Sequence, residues 1–255
     1  RYYREIGKDI RKSFSLHTVF KGNPGTGKTT VARIIVQIYK ALGILDRGHL
    51  VECDRKDLVA GFTGQTAIKT GDLITSAIGG GLFIDEAYAL TSGGSSDFGK
   101  EAIETLLKAM EDKRGQFMVI VAGYPKEMND FLEANPGLMS RFDKQFYFND
   151  YTVDELVEIA DVIFDLEELK MTEEARVHLR TYIEKILANK HQYFGNARTI
   201  RKMVAEAIKK QHLRMADIPS AKRNSDLVQS VTIDDVSGME LMEEKNVRPG
   251  IGFGK

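Results

Sequence analysis

Cysteine is almost missing from these 255 residues. Cys53 stands alone, so no internal disulfide can form, and a reducing, intracellular (cytoplasmic) setting fits best. Histidine is scarce as well, and its five copies show none of the spacings with which side chains ligate a metal. Neither sign of charge is in excess. With a formal net charge of -1 and a pI near 6.6, nothing draws the whole chain toward nucleic acid, so any polyanion site must be local. A signal peptide and an uninterrupted apolar span are also lacking. The longest apolar stretches, such as "VARIIVQIYKALGIL" (31–45), carry charges, which argues against a membrane segment. No internal repeat is visible, and the start at Arg1 is what a fragment of a longer protein would show.

What is present suits a folded, soluble protein: 42% hydrophobic against 29% charged residues, in a length that holds one large domain or a medium and a small one. Short β-rich runs occur at 17–20, 49–53, 81–87, 117–123 and 145–150. Apolar residues are nearly continuous in "FMVIVAG" (117–123), as in a strand covered on both faces. Helical patterns at 28–42, 65–78, 99–112 and 126–133 alternate with these runs, which predicts a doubly wound α/β domain over 1–150. From Tyr151 the strand signal disappears. Helical segments at 152–164, 172–189 and 196–214 predict a small all-α domain over 151–240, with Thr152 and Glu155 forming a capping box and Thr172 starting the next helix. The stretch 215–230, with Pro219, reads as a loop, and 241–255 as a loose tail.

Two motifs carry chemistry. "GNPGTGKTT", comprising Gly22, Asn23, Pro24, Gly25, Thr26, Gly27, Lys28, Thr29 and Thr30, follows a strand and opens a helix, as a phosphate-binding loop does. Its glycines let backbone N–H groups turn inward, and the helix N-terminus adds a field that favours anions. Lys28 would reach the β- and γ-phosphates, and the Thr29 hydroxyl would ligate Mg²⁺. "GGLFIDEA" (80–87) ends a buried strand in two acids, Asp85 and Glu86, which strand alternation turns apart. Asp85 would hold Mg²⁺ through water, and Glu86 would polarise an attacking water, which favours hydrolysis of ATP over transfer. Taken alone, the pair would read as two solvated acids; the upstream loop is what gives them a role.

With both motifs in view, the chain resembles the AAA+ ATPases, and more closely the group of red-type rubisco activase (CbbX/CfxQ), stage V sporulation protein K and the type VII secretion ATPase (EccA-like). The likeness lies in "SLHTVFKGNPGTGKTTVARI", "GGLFIDEAYAL", "DFGKEAIETLLKAMED", "VIVAGYPKEM", "NPGLMSRFD" and "GNARTIRKM". It implies a five-stranded parallel sheet flanked by helices, an all-α lid, and a hexameric homo-oligomer with ATP between subunits. By this resemblance Arg141 is the arginine finger acting in trans, and Arg198 the sensor-2 arginine that couples nucleotide state to the lid. Plainer alternatives are an Arg141 paired with Asp143, and an Arg198 on a solvated basic face beside Arg201 and Lys202. Met139 occupies the place of a second arginine found in some relatives, and Tyr124 is the residue nearest the sensor-1 position.

The stretch "LVAGFTGQTAIKT" (58–70) sets Phe62 between glycines, where the resemblance places a channel loop made of Phe62, Thr63 and Gly64. An aromatic offers a broad, sequence-tolerant grip on an extended peptide, and glycines let it move. The alternative is a ring tucked under the following helix. "TSGGSSDFG" (91–99) is a candidate second channel loop. The leading function is thus an ATP-driven remodeller of a protein client. A nucleic-acid-directed ATPase is opposed by the near-neutral charge and by Lys69 as the only nearby cation. A slow, nucleotide-gated scaffold is the third reading.

Overall fold

The computed structural model describes residues 15–62, 64–92, 98–190 and 194–238. Two compact units divide the chain, Arg1–Asn149 and Asp150–Lys255.

Five parallel strands form the sheet of the first unit: β1 (Thr18–Gly22), β2 (Leu50–Cys53), β3 (Gly81–Ile84), β4 (Met118–Gly123) and β5 (Lys144–Phe148). Their spatial order is β2-β3-β4-β1-β5. Helices α1 (Lys28–Ala41), α2 (Arg55–Leu58), α3 (Gln65–Ala77), α4 (Gly99–Asp112), α5 (Pro125–Glu133) and α6 (Pro136–Arg141) connect them. The central strand β4 is buried throughout and feeds two cores. Its Val119 and Val121 join Leu82, Ile84, Ile103, Leu106 and Phe131 on one face. Met118, Ile120 and Ala122 join Phe20, Phe83, Ala32 and Val36 of α1 on the other. That division explains an apolar run without alternation: each face has its own helical layer. Each Val, Leu, Ile, Phe or Met among them, taken fully out of water, contributes roughly 1.5–3 kcal/mol.

Strand β1 also buries Lys21, whose ammonium donates to Asn129 Oδ1 (2.5 Å) and Gln145 Oε1 (2.6 Å) beneath the Tyr147 ring. The two amide oxygens replace water around the charge. Lys21 leads directly into the phosphate-loop residues, which begin at Gly22.

The second unit holds α7 (Val153–Leu166), α8 (Glu173–Ala188), α9 (Ala197–Asp217), α10 (Ser225–Gln229) and α11 (Ile233–Val236). Thr152 and Glu155 make the expected capping box on α7, and the Thr172 hydroxyl caps α8 by accepting from the Ala175 N–H. Leu156, Phe164, Leu179, Ile183, Ile200 and Val204 fill the core between the three long helices. Two expectations are corrected here. Strand pairing does not end at Tyr151, because β6 (Lys170–Met171) and β7 (Ser230–Val231) pair in parallel. Two residues are too few to leave a periodic signal. Nor is 215–230 a plain loop: α9 runs on to Asp217, stopping where Ile218 precedes Pro219, and Asn224 then caps α10. The expected tail, 241–255, lies outside the described residues.

Candidate functional site: the nucleotide pocket

Ligand sites in open parallel sheets form beyond the carboxyl ends of the strands. Here the ends of β1, β4 and β3 are level: Lys21 pairs with Gly123, and Ile84 with Val121. Both motifs therefore emerge on the same edge. Between them a pocket of about 390 Å³ is lined by Thr29, Asp85 and Glu86, together with Glu52, Asp54 and Asp57.

The loop after β1 is shaped for close backbone approach. A Cβ on Gly22 would stand 2.4 Å from the Phe148 carbonyl oxygen, and Gly27, at φ 89°, turns the chain into α1. A side chain would strain both positions. The Thr26 hydroxyl, buried, donates to the Asn23 carbonyl at 2.8 Å. Lys28 Nζ donates to the Gly22 (2.9 Å) and Asn23 (2.8 Å) carbonyls, which folds it over the loop. Gly25 also has positive φ, Pro24 and Thr29 are half-buried, and Thr30 is exposed.

Strand β3 stops at Ile84, so pleating is not what parts the two acids. Glu86 takes a left-handed conformation, φ 48° and ψ 42°, while its N–H donates to Asp85 Oδ1 at 3.0 Å. That bond orients the Asp85 carboxylate. The left-handed backbone of a non-glycine residue costs about 1–3 kcal/mol, a strain found most often where a side chain must be aimed. Asp54 and Asp57 were not apparent as pocket residues from the sequence; only the helix-start pattern D-x-x-D marks them, and they form the capping box of α2. Cys53, at the pocket wall, has its thiol pushed up to about 12 by burial and then by Asp57 and Asp54, so it is not a nucleophile.

The pocket does not contain all the expected residues. Arg141, the last residue of α6, pairs with Glu111 of α4 (Nη2–Oε2 3.0 Å), not with Asp143. Tyr124 caps α5, and its ring lies 6.0 Å from that of Tyr88, whose hydroxyl is pushed up by burial and then by Glu86. Met139 is exposed. Phe62 is 72% exposed, so it is not tucked beneath α3. Gly64 begins α3 at φ 79°, while Thr63 lies outside the described residues, as do 93–97 of the second candidate loop. Arg198 is exposed near the start of α9 in the second unit, as are Arg201 and Lys202.

The residues fit Mg²⁺ and a nucleoside triphosphate. Among the described residues no group of three or more His, Cys, Asp or Glu side chains is arranged to hold a metal. Mg²⁺ needs no such cage, since it keeps waters and takes one or two protein ligands beside substrate phosphates. Thr29 and Asp85 on one pocket supply that minimum.

A glycine-lined phosphate loop facing a strand-end acid pair, on a sheet of order β2-β3-β4-β1-β5, defines a P-loop ATPase. The family model described as "ATPase family associated with various cellular activities (AAA)" matches residues 18–150, and that of the AAA lid domain matches 152–246. The chain belongs to this family, and to its CbbX/CfxQ/SpoVK branch, as an ATP-hydrolysing enzyme. Stage V sporulation protein K of Bacillus subtilis is 48% identical over 212 residues, which are 83% of this chain and 66% of that protein. The chloroplastic ribulose bisphosphate carboxylase/oxygenase activase of Cyanidioschyzon merolae is 43% identical over 90% of this chain and 76% of its own. Protein CbbX of Cereibacter sphaeroides is 41% identical over 90% and 74%. Among solved structures, the FIGL-1 AAA domain with ADP superposes with a TM-score of 0.62 at 18% identity, covering 98% of this chain and 78% of that one. A variant of RuvB from Thermotoga maritima gives 0.60 at 20%, covering 97% and 66%. These two likenesses show the fold alone.

Proposed function

We propose that this chain is the motor core of a cytoplasmic, hexameric ring that hydrolyses ATP to grip and remodel a protein client in its central channel. The observation that carries this reading is Phe62: an aromatic 72% exposed, five residues from the pocket residue Asp57 and at the foot of α3. A nucleotide pocket alone has no need of an exposed ring there, since burial would be favourable. One relative supports a protein client by its name, that of an activase of ribulose bisphosphate carboxylase/oxygenase. Among the described residues no helix is long and apolar enough to cross a membrane.

In this reading the loop amides and Lys28 hold the phosphates, with Lys28 leaving the Gly22 and Asn23 carbonyls for phosphate oxygens. Thr29 and, through water, Asp85 would hold Mg²⁺, which would supply positive charge against the phosphates. Glu86 accepts a proton from the attacking water. Arg141 of a neighbouring subunit places a guanidinium beside the charge that builds on the γ-phosphate. Arg198 reports the state of the nucleotide to the lid. Phe62 and Gly64, with Thr63 between them, meet the client.

Phe62→Ala tests the proposal. Basal ATP turnover stays near the wild-type rate, while client remodelling is lost; processing at the wild-type rate would refute the channel model. The client itself is found by Glu86→Gln, which slows hydrolysis by at least about a hundredfold and keeps nucleotide affinity, so that ATP holds the client for pull-down.

A further inference from the structure

Asn196 stands out in the second unit. Its backbone lies at φ 45° and ψ -129°, a region that an L side chain rarely enters, and it is wholly buried. The Arg198 N–H donates to the Gly195 carbonyl at 2.9 Å, so residues 195–198 form a turn with Asn196 at its first central position. These angles are close to those of a type II′ turn, where glycine is favoured and asparagine tolerated. On backbone grounds, glycine would serve better. Asparagine must therefore be there for its side chain.

That side chain is committed on both ends. Its amide nitrogen donates to Asp150 Oδ1 (2.9 Å) and to the Phe194 carbonyl (3.0 Å), and its amide oxygen accepts from the Tyr151 N–H (2.9 Å). Asp150 is held in turn by Lys190, at 2.7 Å. Asp150 and Tyr151 are the first two residues of the helical unit. Arg198 follows Asn196 by two residues, at the head of the 21-residue helix α9. So one buried amide ties the point where the unit begins to the turn that presents Arg198. A strained backbone that persists under full burial is one that its surroundings over-determine.

We propose that Asn196 is a positioning residue: it locks Arg198 to the first residues of the helical unit, so that a change felt at the arginine moves that end of the unit and is not absorbed by the 195–198 turn. This rests on the reading of Arg198 as the nucleotide sensor. With the staple cut, Arg198 keeps its charge and its helix, but its contact with nucleotide no longer works against a fixed point.

The test compares ATP and ADP affinity, with fluorescent nucleotide analogues, in the full chain carrying Asn196→Gly, Arg198→Ala or both. Glycine relieves the turn and removes the amide, so the melting temperature by circular dichroism stays within a few degrees. Discrimination between ATP and ADP falls on the order of tenfold in each single variant, and the double variant falls no further, because both interrupt one coupling. If Arg198→Ala alters the ratio but Asn196→Gly does not, or if the two losses multiply, the staple is refuted while the sensor stands. An Arg198→Ala chain with wild-type discrimination refutes the sensor, and the staple with it. Should Asn196→Gly fail to fold, Asp150→Ala removes the same bond from its other end and leaves the Asn196 turn unchanged. Discrimination must fall in that variant too; discrimination at the wild-type level overturns the proposal.

Discussion

His17 shows how much a single buried residue can set. It is 6% exposed, its Nδ1 accepts from the Val119 N–H at 3.0 Å, and its ring meets Phe117 and Phe142 edge-on. Burial first, and then the positive charge of Arg141, lower its pKa from 6.5 to about 4, against a weaker opposing pull from Asp143. The unfolded chain takes up this proton as pH falls below about 6.5, while the folded chain resists until about 4. His17 stability is therefore complete above pH 7 and is lost as pH falls through that window. Between pH 7 and pH 5 it amounts to about 2 kcal/mol, measurable as a shift in denaturant midpoint, and His17→Gln should flatten the dependence. An unchanged slope would assign the acid sensitivity elsewhere. At this scale the sequence was legible where a motif repeats a chemical need: Thr29 and Asp85 line one pocket, and Lys28 folds over the loop beside it. It was not legible at Glu86 and Asn196, whose positive φ angles arise from the chain around them, nor at His17, whose environment is made by β4 and α6.

Between elements, one ion pair holds the end of the helical unit. Arg214 of α9 grips Asp235 of α11 through Nη2 (2.7 Å) and Nε (3.0 Å), and Asp235, 1% exposed, also accepts from the Thr232 N–H at 2.8 Å. Burial opposes ionisation of Asp235, but these hydrogen bonds outweigh it and keep the carboxyl below its usual range. Asp235→Ala leaves the Arg214 charge partly buried without this partner and should cost about 3 kcal/mol, read in urea unfolding of the helical unit. Replacing both by apolar residues of similar size should cost less, and an equal cost would show that the pair contributes beyond mutual neutralisation. Long elements were readable because their period and caps are local: Thr152 and Thr172 mark starts that the structure keeps. The two-residue pairing of Lys170–Met171 with Ser230–Val231 was not, because its cause is sixty residues away along the chain and is only the meeting of α7 and α9 with β6 and β7.

For the whole molecule, the placement of Arg141 carries the consequence. It is not among the residues that line the nucleotide pocket and it rests on Glu111, and the role in hydrolysis proposed for it is one exercised on a second copy. Arg141→Ala and Glu86→Gln chains should each be nearly inactive, and mixing them should restore phosphate release, since an intact Glu86 then faces an intact Arg141. Mixtures no more active than their components would place the arginine in cis. By itself the sequence determined the chemistry and the class of fold: glycine spacing, the acid pair and alternating apolar runs are local, and each follows from what phosphate, Mg²⁺ and a two-faced sheet demand of neighbouring residues. The tertiary structure alone decided that β4 lies between β1 and β3, which brings Gly22 and Asp85 to one edge. It also decided that Phe62 stays in solvent, that Glu111 holds Arg141, and that Asn196 fastens Arg198 to Asp150. These are contacts between residues far apart in the chain, and no local pattern encodes them.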